Sequence, residues 1–295
     1  MSNENQENSR KTLILGSSGF LGSYFTRYPN TLGLPRSNWS GIPVSELSSS
    51  TSFEMLENLV VKAKPEVIIN CIALTSINQC EREPVLANFV NSDLPSFVAK
   101  ITASMKISFV HFSTDAVFDG QKSPYSEMDS PSPISHYGKT KLQGENNVIR
   151  NNPEALVLRT NFFGFSFQRP SLFNFFHQNL KLSRNCDGYS DVIFSPLYVK
   201  DVCNATFALL EKSQNGLFHV VGSESLTKFE FGRRIASSMK ISEKMVTEAK
   251  RPSNGDNNVR SHDLRLDNTK MKMIFQPKYS LTDGIIDSLY EASEE

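Results

Sequence analysis

The chain has 295 residues, of which 39% are hydrophobic and 21% are charged, as in ordinary soluble globular proteins. There are 31 basic residues (lysine plus arginine) and 31 acidic residues (aspartate plus glutamate), so the formal net charge is zero. This excludes an overall positive charge that would attract nucleic acid or an acidic membrane surface. Residues 1–10 form a polar head, predicted to be disordered, and no apolar run approaches the ~20 residues that span a bilayer, so we expect a cytoplasmic protein.

Short apolar runs of strand length alternate with amphipathic stretches of helix length. The predicted strands are Thr12–Leu15, a second within residues 31–37, Val67–Asn70, Ile107–Phe112, Leu156–Leu158 and Leu217–Val221. The predicted helices are Ser52–Ala63, Val85–Met105, Tyr137–Asn151 and Val199–Glu211. Buried strands separated by helices are typical of βαβ units. The predicted fold class is therefore α/β, a doubly wound parallel sheet of the Rossmann type.

A glycine motif, Gly16-Ser-Ser-Gly19-Phe-Leu-Gly22, follows the first predicted strand. Glycines at this spacing permit a tight turn, close approach of the backbone to a pyrophosphate and close helix–strand packing. The phosphates would lie at a helix N-terminus, where free N–H groups favour negative charge. The alternative is a glycine-rich turn without a ligand, but the position at the first strand–helix junction favours a dinucleotide site.

Tyr137 and Lys141 lie four residues apart and share one face of a predicted helix. A nearby ammonium favours the phenolate, so we expect the pKa of Tyr137 below its ordinary value of about 10, which would suit proton transfer. Such spacing also occurs by chance. The position of the Tyr137/Lys141 pair supports a functional role, because its helix follows a predicted fifth strand. The end of that strand carries Ser113, Thr114 and Asp115, at the sheet edge where ligands bind.

Several segments together resemble the dTDP-4-dehydrorhamnose reductase-like, sugar-nucleotide-binding branch of the extended short-chain dehydrogenases/reductases. The resemblance begins near Lys11 and reaches the C-terminal region. Its segments are Gly16–Gly22, Asn70–Thr75, Glu81–Pro84, Ser113–Gly120, Tyr137–Glu145, Leu158–Thr160 and Arg260–Asp267. It implies an NAD(P)-dependent oxidoreductase that transfers hydride between NADPH or NADH and a sugar carbon, commonly C4, of a nucleotide-sugar.

The resemblance also implies a role for each matching residue. Thr114 would hydrogen-bond the reacting oxygen, Tyr137 would deliver or remove the proton, and Lys141 would hold the nicotinamide ribose and tune Tyr137. The implied cofactor-binding residues are Gly16, Ser18, Gly19, Phe20, Leu21, Gly22, Arg36, Ser37, Ala73, Asn91, Tyr137 and Lys141. The implied substrate-binding residues are Thr75, Thr114, Asp115, Asn161 and Arg260, the last near the nucleotide phosphates.

The hydropathy pattern changes after about Gly164. We predict that residues 11–164 and 191–222 form the NAD(P)-binding domain, and that residues 165–190 and 223–290 form a smaller, mainly helical substrate-binding lobe. Within that lobe we expect a loop at Arg251–Arg260.

The stretch Thr31–Ser37 decides the expected cofactor. It contains no acidic residue for the ribose 2′-OH of NAD, whereas Arg36 and Ser37 could pair with a 2′-phosphate. The sequence therefore predicts a preference for NADPH over NADH, with Arg36 as a solvated loop residue the alternative.

The chain departs from the family pattern at three places. Asn78 stands where aspartate is usual, Ser261 replaces the proline that commonly follows the arginine, and the polar run Ser48–Ser52 stands where an acidic residue often lies near the adenine. These departures leave the catalytic set intact and the identity of the sugar open.

Other polar residues are expected to have structural roles. The four cysteines lack a C-x-x-C pair and are predicted to be reduced, and the histidines lack zinc-ligand spacing, so no metal is expected. Asp115 and Asp119 fit turn or capping carboxylates better than metal ligands. Arg159 is expected to be a strand-end charge, and Arg233 and Arg234 solvated helix charges.

Three functions stay open. A reductase of a nucleotide-activated keto-sugar is favoured, because Thr114, Tyr137 and Lys141 are all present. An epimerase or dehydratase of the same superfamily would use the same residues but regenerate its cofactor within the cycle. A non-catalytic subunit resembling the regulatory subunit of methionine adenosyltransferase would keep the fold. The expected partner is a nucleotide-sugar, no nucleic acid or membrane partner is expected, and a homodimer is left open.

Overall fold

The computed structural model describes residues 9–35, 50–167, 171–252 and 261–294. The strands are β1 (Thr12–Leu15), β2 (Thr31–Leu34), β3 (Val67–Asn70), β4 (Ser108–Thr114), β5 (Leu156–Thr160), β6 (Phe162–Phe163), β7 (Cys186–Tyr189), β8 (Ile193–Phe194), β9 (Leu197–Tyr198), β10 (Gly216–Val220), β11 (Leu226–Thr227) and β12 (Val246–Ala249). The α-helices are α1 (Phe20–Phe25), α2 (Ser50–Ala63), α3 (Ile77–Arg82), α4 (Pro84–Asn88), α5 (Leu94–Met105), α6 (His136–Asn151), α7 (Leu172–Lys181), α8 (Val199–Glu211), α9 (Lys228–Ser238), α10 (Thr269–Lys272) and α11 (Leu281–Ser293).

Six parallel strands form the central sheet, in the order β10-β5-β4-β3-β1-β2. The predicted doubly wound sheet is confirmed. The strand that ends at Thr114, predicted as the fifth, is the fourth among the described residues, since β2 is the one described strand between β1 and β3. The strand order reverses between β1 and β3, which creates the crevice where such sheets bind ligands.

Both faces of the sheet are buried, and this explains why its strands are apolar without alternation. Ile14 and Leu158 belong to the core cluster that includes residues of α1 and α8. Leu15 and Val157 belong to the opposite cluster, with residues of α2, α5 and α6. Within the described ranges, no helix is long and apolar enough to cross a membrane.

The predicted helix Val85–Met105 is interrupted by a π-helical turn at Phe89–Asp93, so α4 and α5 are separate helices. Pro95 has no backbone N–H and so cannot bond the carbonyl of Asn91, four residues earlier. That carbonyl instead faces α6, where a Cβ at Gly144 would lie only 2.2 Å from it. A single proline thus turns one predicted helix into two and directs Asn91 toward α6.

The segments predicted as the smaller lobe contain helices α7, α9 and α11 together with short strands. β12 pairs with β7 in parallel, and β11 pairs antiparallel with β8, which lies in the segment 191–222 predicted for the other domain. Helix α11 is connected to the helices of the main sheet through Glu291. Its carboxylate accepts hydrogen bonds from Tyr24 of α1 and from Arg27, and it forms an ion pair with Lys200 of α8. The division into a cofactor domain and a substrate lobe remains a prediction.

Arg159 is not the expected strand-end charge but half of a buried ion pair. Its Nε and Nη2 donate to the Glu145 carboxylate at 2.9 and 2.7 Å, and both side chains are 3% exposed. β5 directs Arg159 inward, because its neighbour β10 and helix α6 cover it. Arg233 and Arg234, by contrast, form exposed pairs with Glu243 and Glu224, in agreement with solvated helix charges.

The buried pair yields a stability prediction. Arg159→Met leaves the Glu145 carboxylate buried without its partner, and should lower the free energy of unfolding by about 3–5 kcal/mol. Arg233→Met, the matched change in an exposed pair, should cost less than about 1 kcal/mol. Urea denaturation measures both, and equal losses would show that burial of the Arg159–Glu145 pair does not determine its contribution.

Candidate active site

The carboxyl ends of β1, β3, β4 and β5 open on one cavity of about 430 Å³, at the point between β1 and β3 where the strand order reverses. Helix α6 closes one side of it. The sequence-predicted residues that line this cavity are Gly16, Ser18, Gly19, Phe20, Leu21, Ala73, Thr75, Thr114, Tyr137 and Lys141. The fold thus gathers the glycine motif and the Thr/Tyr/Lys set, which are more than 90 residues apart in sequence, around one space.

The three glycines of the motif have different reasons to lack a side chain. Gly16 has φ +82°, and a Cβ there would also lie 2.9 Å from the Ile72 side chain. A Cβ at Gly22 would lie 2.2 Å from the Gly16 carbonyl, so the fold itself excludes it. At Gly19 a Cβ would meet only that carbonyl, at 3.2 Å, and Gly19 lines the cavity. The missing side chain at Gly19 therefore leaves room for a ligand, which fits the close approach of a pyrophosphate.

Lys141 is buried on the cavity wall and donates to the Phe112 carbonyl at 2.6 Å, with His111 Nε2 3.5 Å from its Nζ. Burial lowers the pKa of Lys141 to about 8, although the charge of Glu145 opposes this. Thr114 Oγ1 donates to Asp115 Oδ1 at 3.1 Å and accepts from the Ala116 N–H at 3.2 Å. The hydroxyl is thereby fixed at the end of β4.

The expected lowering of the Tyr137 pKa is wrong for this structure. Burial raises the pKa of Tyr137, and the hydrogen bond with Thr114 only partly opposes it. Lys141 Nζ is directed at the Phe112 carbonyl, and Lys141 is not among the groups that lower the pKa of Tyr137. Tyr137 therefore holds its proton at neutral pH.

Two residues assigned to the cofactor stand behind the cavity rather than on its wall. Asn91 is fully buried; its amide donates to the Leu74 carbonyl and to Thr140 Oγ1, both at 3.1 Å, and its Oδ1 accepts from the Leu74 N–H at 2.9 Å. Asn91 thus holds the segment after β3 against α6. Gly22 also lies off the cavity wall, where it packs against the Gly16 carbonyl of the glycine loop.

A smaller cavity of about 110 Å³ adjoins the first, because Thr114 lines one cavity and Asp115 the other. Asn161 Nδ2 donates to the Asp115 carboxylate, whose pKa is raised by burial. The side chains of Lys228 and Arg251 also line this cavity. It therefore combines a carboxylate–amide pair with two cationic residues.

Sequence reasoning gave no site role to Arg251, and it placed Ser113 at the ligand-binding edge without assigning it a role. Arg251 was placed in a loop, yet it lines the second cavity and donates to the Ser261 carbonyl at 3.0 Å. A signal was available, because Arg251 is followed by Pro252, the pair expected of the family and absent at residues 260–261. Ser113 lines the main cavity, and its buried hydroxyl has no hydrogen-bond partner among the described residues. Such an orphaned hydroxyl fits a polar ligand in the cavity.

Three assigned residues lie outside the described residues: Arg36, Ser37 and Arg260. The described part of the chain contains no group of three His, Cys, Asp or Glu side chains that could hold a metal ion. Its four cysteines are free. The glycine loop, the Gly19 space and the Ser113 hydroxyl together fit a nicotinamide dinucleotide.

Comparison with known proteins places the chain among related sequences. The sequence model of a family described as the RmlD substrate binding domain matches residues 10–290. A probable low-salt glycan biosynthesis reductase of Haloferax volcanii is 32% identical, over 75% of this chain and 78% of that protein. Methionine adenosyltransferase 2 subunit beta of Rattus norvegicus is 31% identical, over 83% and 79%. The dTDP-4-dehydrorhamnose reductase of Aggregatibacter actinomycetemcomitans is 30% identical, over 83% and 89%.

A solved structure shares the fold over nearly its whole length. It is the dTDP-4-dehydrorhamnose reductase of Bacillus anthracis in complex with NADP, which superposes with a TM-score of 0.83 at 24% identity. The match covers 96% of this chain and 99% of that one.

The glycine loop yields the prediction for this site. Gly19→Val should abolish dinucleotide binding while the protein still folds, because the new side chain enters the cavity and meets little of the fold. Gly22→Ala serves as the contrast: its Cβ collides with backbone, so it should destabilise the fold by about 1–3 kcal/mol. Fluorescence titration with NADPH and thermal unfolding separate the two effects. Unchanged affinity in Gly19→Val would make the loop a structural turn only.

Proposed function

Because this chain belongs to the family of the RmlD substrate binding domain, we propose that it is an NAD(P)H-dependent reductase of a nucleotide-activated keto-sugar. The observation that carries the proposal is the main cavity, where the glycine loop meets Thr114, Tyr137 and Lys141. The relatives named as reductases support the oxidoreductase class. Turnover assays with a panel of nucleotide-sugars, each with NADPH and with NADH, test it directly through the absorbance of the reduced nicotinamide.

The residues of this cavity suit the reduction of a ketone. A bound NADPH or NADH would supply the hydride to the carbonyl carbon. Tyr137, which is protonated at neutral pH, would then give its phenolic proton to the carbonyl oxygen, so that C=O becomes CH–OH. Thr114 would turn its hydroxyl hydrogen from Asp115 to the same oxygen and orient it. Lys141 would bind the nicotinamide ribose from the cavity wall.

The smaller cavity suits the rest of the substrate. Lys228 and Arg251 present two cationic groups, which match the diphosphate of a nucleotide-sugar. Asp115 and Asn161 present an acceptor and a donor beside Thr114, which suits sugar hydroxyls next to the reacting carbon. The order of contacts along the two cavities would then be nicotinamide, sugar and diphosphate.

NADPH is the cofactor that we propose as preferred, on the absence of an acidic residue in Thr31–Ser37 and the presence there of Arg36 and Ser37. The same NADPH and NADH assays, repeated with Arg36→Ala, compare the two cofactors. A preference for NADPH that survives the substitution would remove Arg36 from cofactor selection.

A non-catalytic role is the second candidate, because methionine adenosyltransferase 2 subunit beta resembles the chain as closely as the reductases do. Such a subunit would bind the dinucleotide and a partner protein without turnover. A pull-down from lysate beside the panel assay separates the two functions. A captured transferase with no cofactor oxidation would favour the subunit, whereas oxidation with one nucleotide-sugar would favour the reductase. An epimerase or dehydratase would convert substrate without net oxidation.

The proton donor yields a kinetic prediction. Tyr137→Phe should retain dinucleotide affinity and lower turnover by roughly 10²–10⁴-fold, the usual contribution of a positioned general acid. Tyr189→Phe, which makes the same change at a residue outside the main cavity, is the control and should keep turnover. Turnover in Tyr137→Phe equal to that of the unmodified protein would exclude Tyr137 as the donor.

The second cavity yields a binding prediction. Arg251→Met should weaken binding of the nucleotide-sugar by about 1.5–3 kcal/mol and leave NADPH affinity unchanged, since a charge-assisted phosphate contact is lost. Arg260→Ala tests the position assigned from the family pattern, and Arg233→Met controls for loss of one positive charge. If calorimetry finds weaker nucleotide-sugar binding in Arg260→Ala alone, the phosphate contact belongs to Arg260 and not to Arg251. Equal weakening of both ligands in Arg251→Met would indicate damage to the fold.

A further inference from the structure

Three buried polar side chains form a line: Asn70 and Lys141, which lie on the wall of the main cavity, and His111 between them. The Ile72 N–H donates to Asn70 Oδ1 at 3.1 Å. Asn70 Nδ2 lies 3.2 Å from His111 Nδ1, and His111 Nε2 lies 3.5 Å from Lys141 Nζ. The line joins the end of β3 to helix α6 through β4.

This geometry determines where His111 carries its proton. A backbone N–H can only donate, so the Asn70 amide must turn its oxygen to Ile72 and its NH2 group to His111. An NH2 group can only donate as well, so His111 Nδ1 must be unprotonated. A neutral imidazole with an unprotonated Nδ1 carries its hydrogen on Nε2. Burial and the charge of Lys141 lower the pKa of His111 well below its usual range, which agrees with a neutral ring.

We propose that His111 is a positioning residue that directs its Nε2–H at Lys141 Nζ and so favours the neutral amine over the ammonium. An amine nitrogen has a lone pair that can accept from Nε2–H, whereas an ammonium can only donate. The Phe112 carbonyl accepts from Lys141 Nζ in either state but more strongly from the ammonium, so it opposes the effect of His111.

The other ionisable groups around Lys141 do not supply a dedicated counter-charge. Glu145, one turn along α6, favours the ammonium, but its carboxylate is bound through two hydrogen bonds to Arg159. Cys71, which follows β3, stays a neutral thiol because burial raises its pKa. Tyr137 also stays neutral, because burial raises its pKa. Burial is the main cause of the lowered Lys141 pKa, and His111 Nε2 is the one polar side-chain atom in hydrogen-bond contact with Nζ among the described residues, so the orientation of its N–H adds to that effect.

The catalytic meaning of this proposal depends on the reductase function proposed above, whereas the proton positions do not. A Lys141 that gains and loses a proton near neutral pH can replace the proton that Tyr137 delivers. His111 would contribute by keeping Lys141 in that range without touching substrate or cofactor.

Nitrogen-15 NMR of histidine-labelled protein tests the first step without any variant or substrate. Imidazole nitrogen shifts and two-bond couplings distinguish the Nε2–H form, the Nδ1–H form and the imidazolium, and His111→Phe identifies the signal of His111 among five histidines. We expect the Nε2–H form at neutral pH. An Nδ1–H form or an imidazolium would overturn the proposal, even if the protein proves to be an active reductase.

A double-mutant cycle tests the second step. Asn70→Asp offers two acceptor oxygens and should move the histidine hydrogen to Nδ1, which leaves Nε2 to accept from the ammonium. The Lys141 pKa, followed by NMR of labelled lysine and assigned with Lys141→Arg, should then rise. Because the new carboxylate also attracts the ammonium directly, the same substitution is repeated in the His111→Phe background, where only that direct attraction operates.

Asn70→Asp should raise the acid–base equilibrium constant of Lys141 toward the ammonium in both backgrounds. The proposal requires that this change be at least about tenfold larger with His111 present than in the His111→Phe background. An equal or smaller shift with His111 present would contradict it. Asn151→Asp, at the far end of α6, controls for the added negative charge. Loss of reductase activity alone decides nothing here, since both readouts are protonation states.

Discussion

The site depends on how closely helix α6 approaches the backbone that follows β4 and the π-helical turn at Phe89–Asp93. A Cβ at Gly138 would lie 2.2 Å from the Ala116 carbonyl, and a Cβ at Gly144 would lie 2.2 Å from the Asn91 carbonyl. These two glycines lie on either side of Lys141, so the helix contacts backbone both before and after the residue that it presents to the cavity. With a side chain at either position the helix would have to move outward, and Tyr137 and Lys141 would leave the cavity wall.

That close packing also explains the electrostatics. Helix α6 brings Lys141 and Glu145 into the core, and β4 and β5 bring His111 and Arg159 against them. Glu145 is bound by Arg159, while Lys141 is left with a carbonyl and an imidazole. Glu145 and Arg159 therefore neutralise each other in the core, and the neighbouring Lys141 amine has a lowered pKa. Burial is the main cause of that lowering, and the charge of Glu145, although bound by Arg159, only partly opposes it.

The fold and the outline of the site could be predicted from local patterns. Apolar runs of strand length and the glycine motif are local signals, and they placed the sheet and the main cavity. The pKa of Tyr137 and the burial of Arg159 could not be predicted, because both depend on which elements cover them in three dimensions. The break at Phe89–Asp93 had a local signal in Pro95, whose effect depends on the fit of Asn91 against α6.

The contacts of Glu291 have a consequence for the order in which the protein can be completed. During synthesis, the glycine loop and helix α1 leave the ribosome early. The carboxylate that binds Tyr24 of that helix is made 267 positions later along the chain. Until α11 emerges, the buried hydroxyl of Tyr24 lacks that acceptor, and the helix after the loop lacks one of its supports.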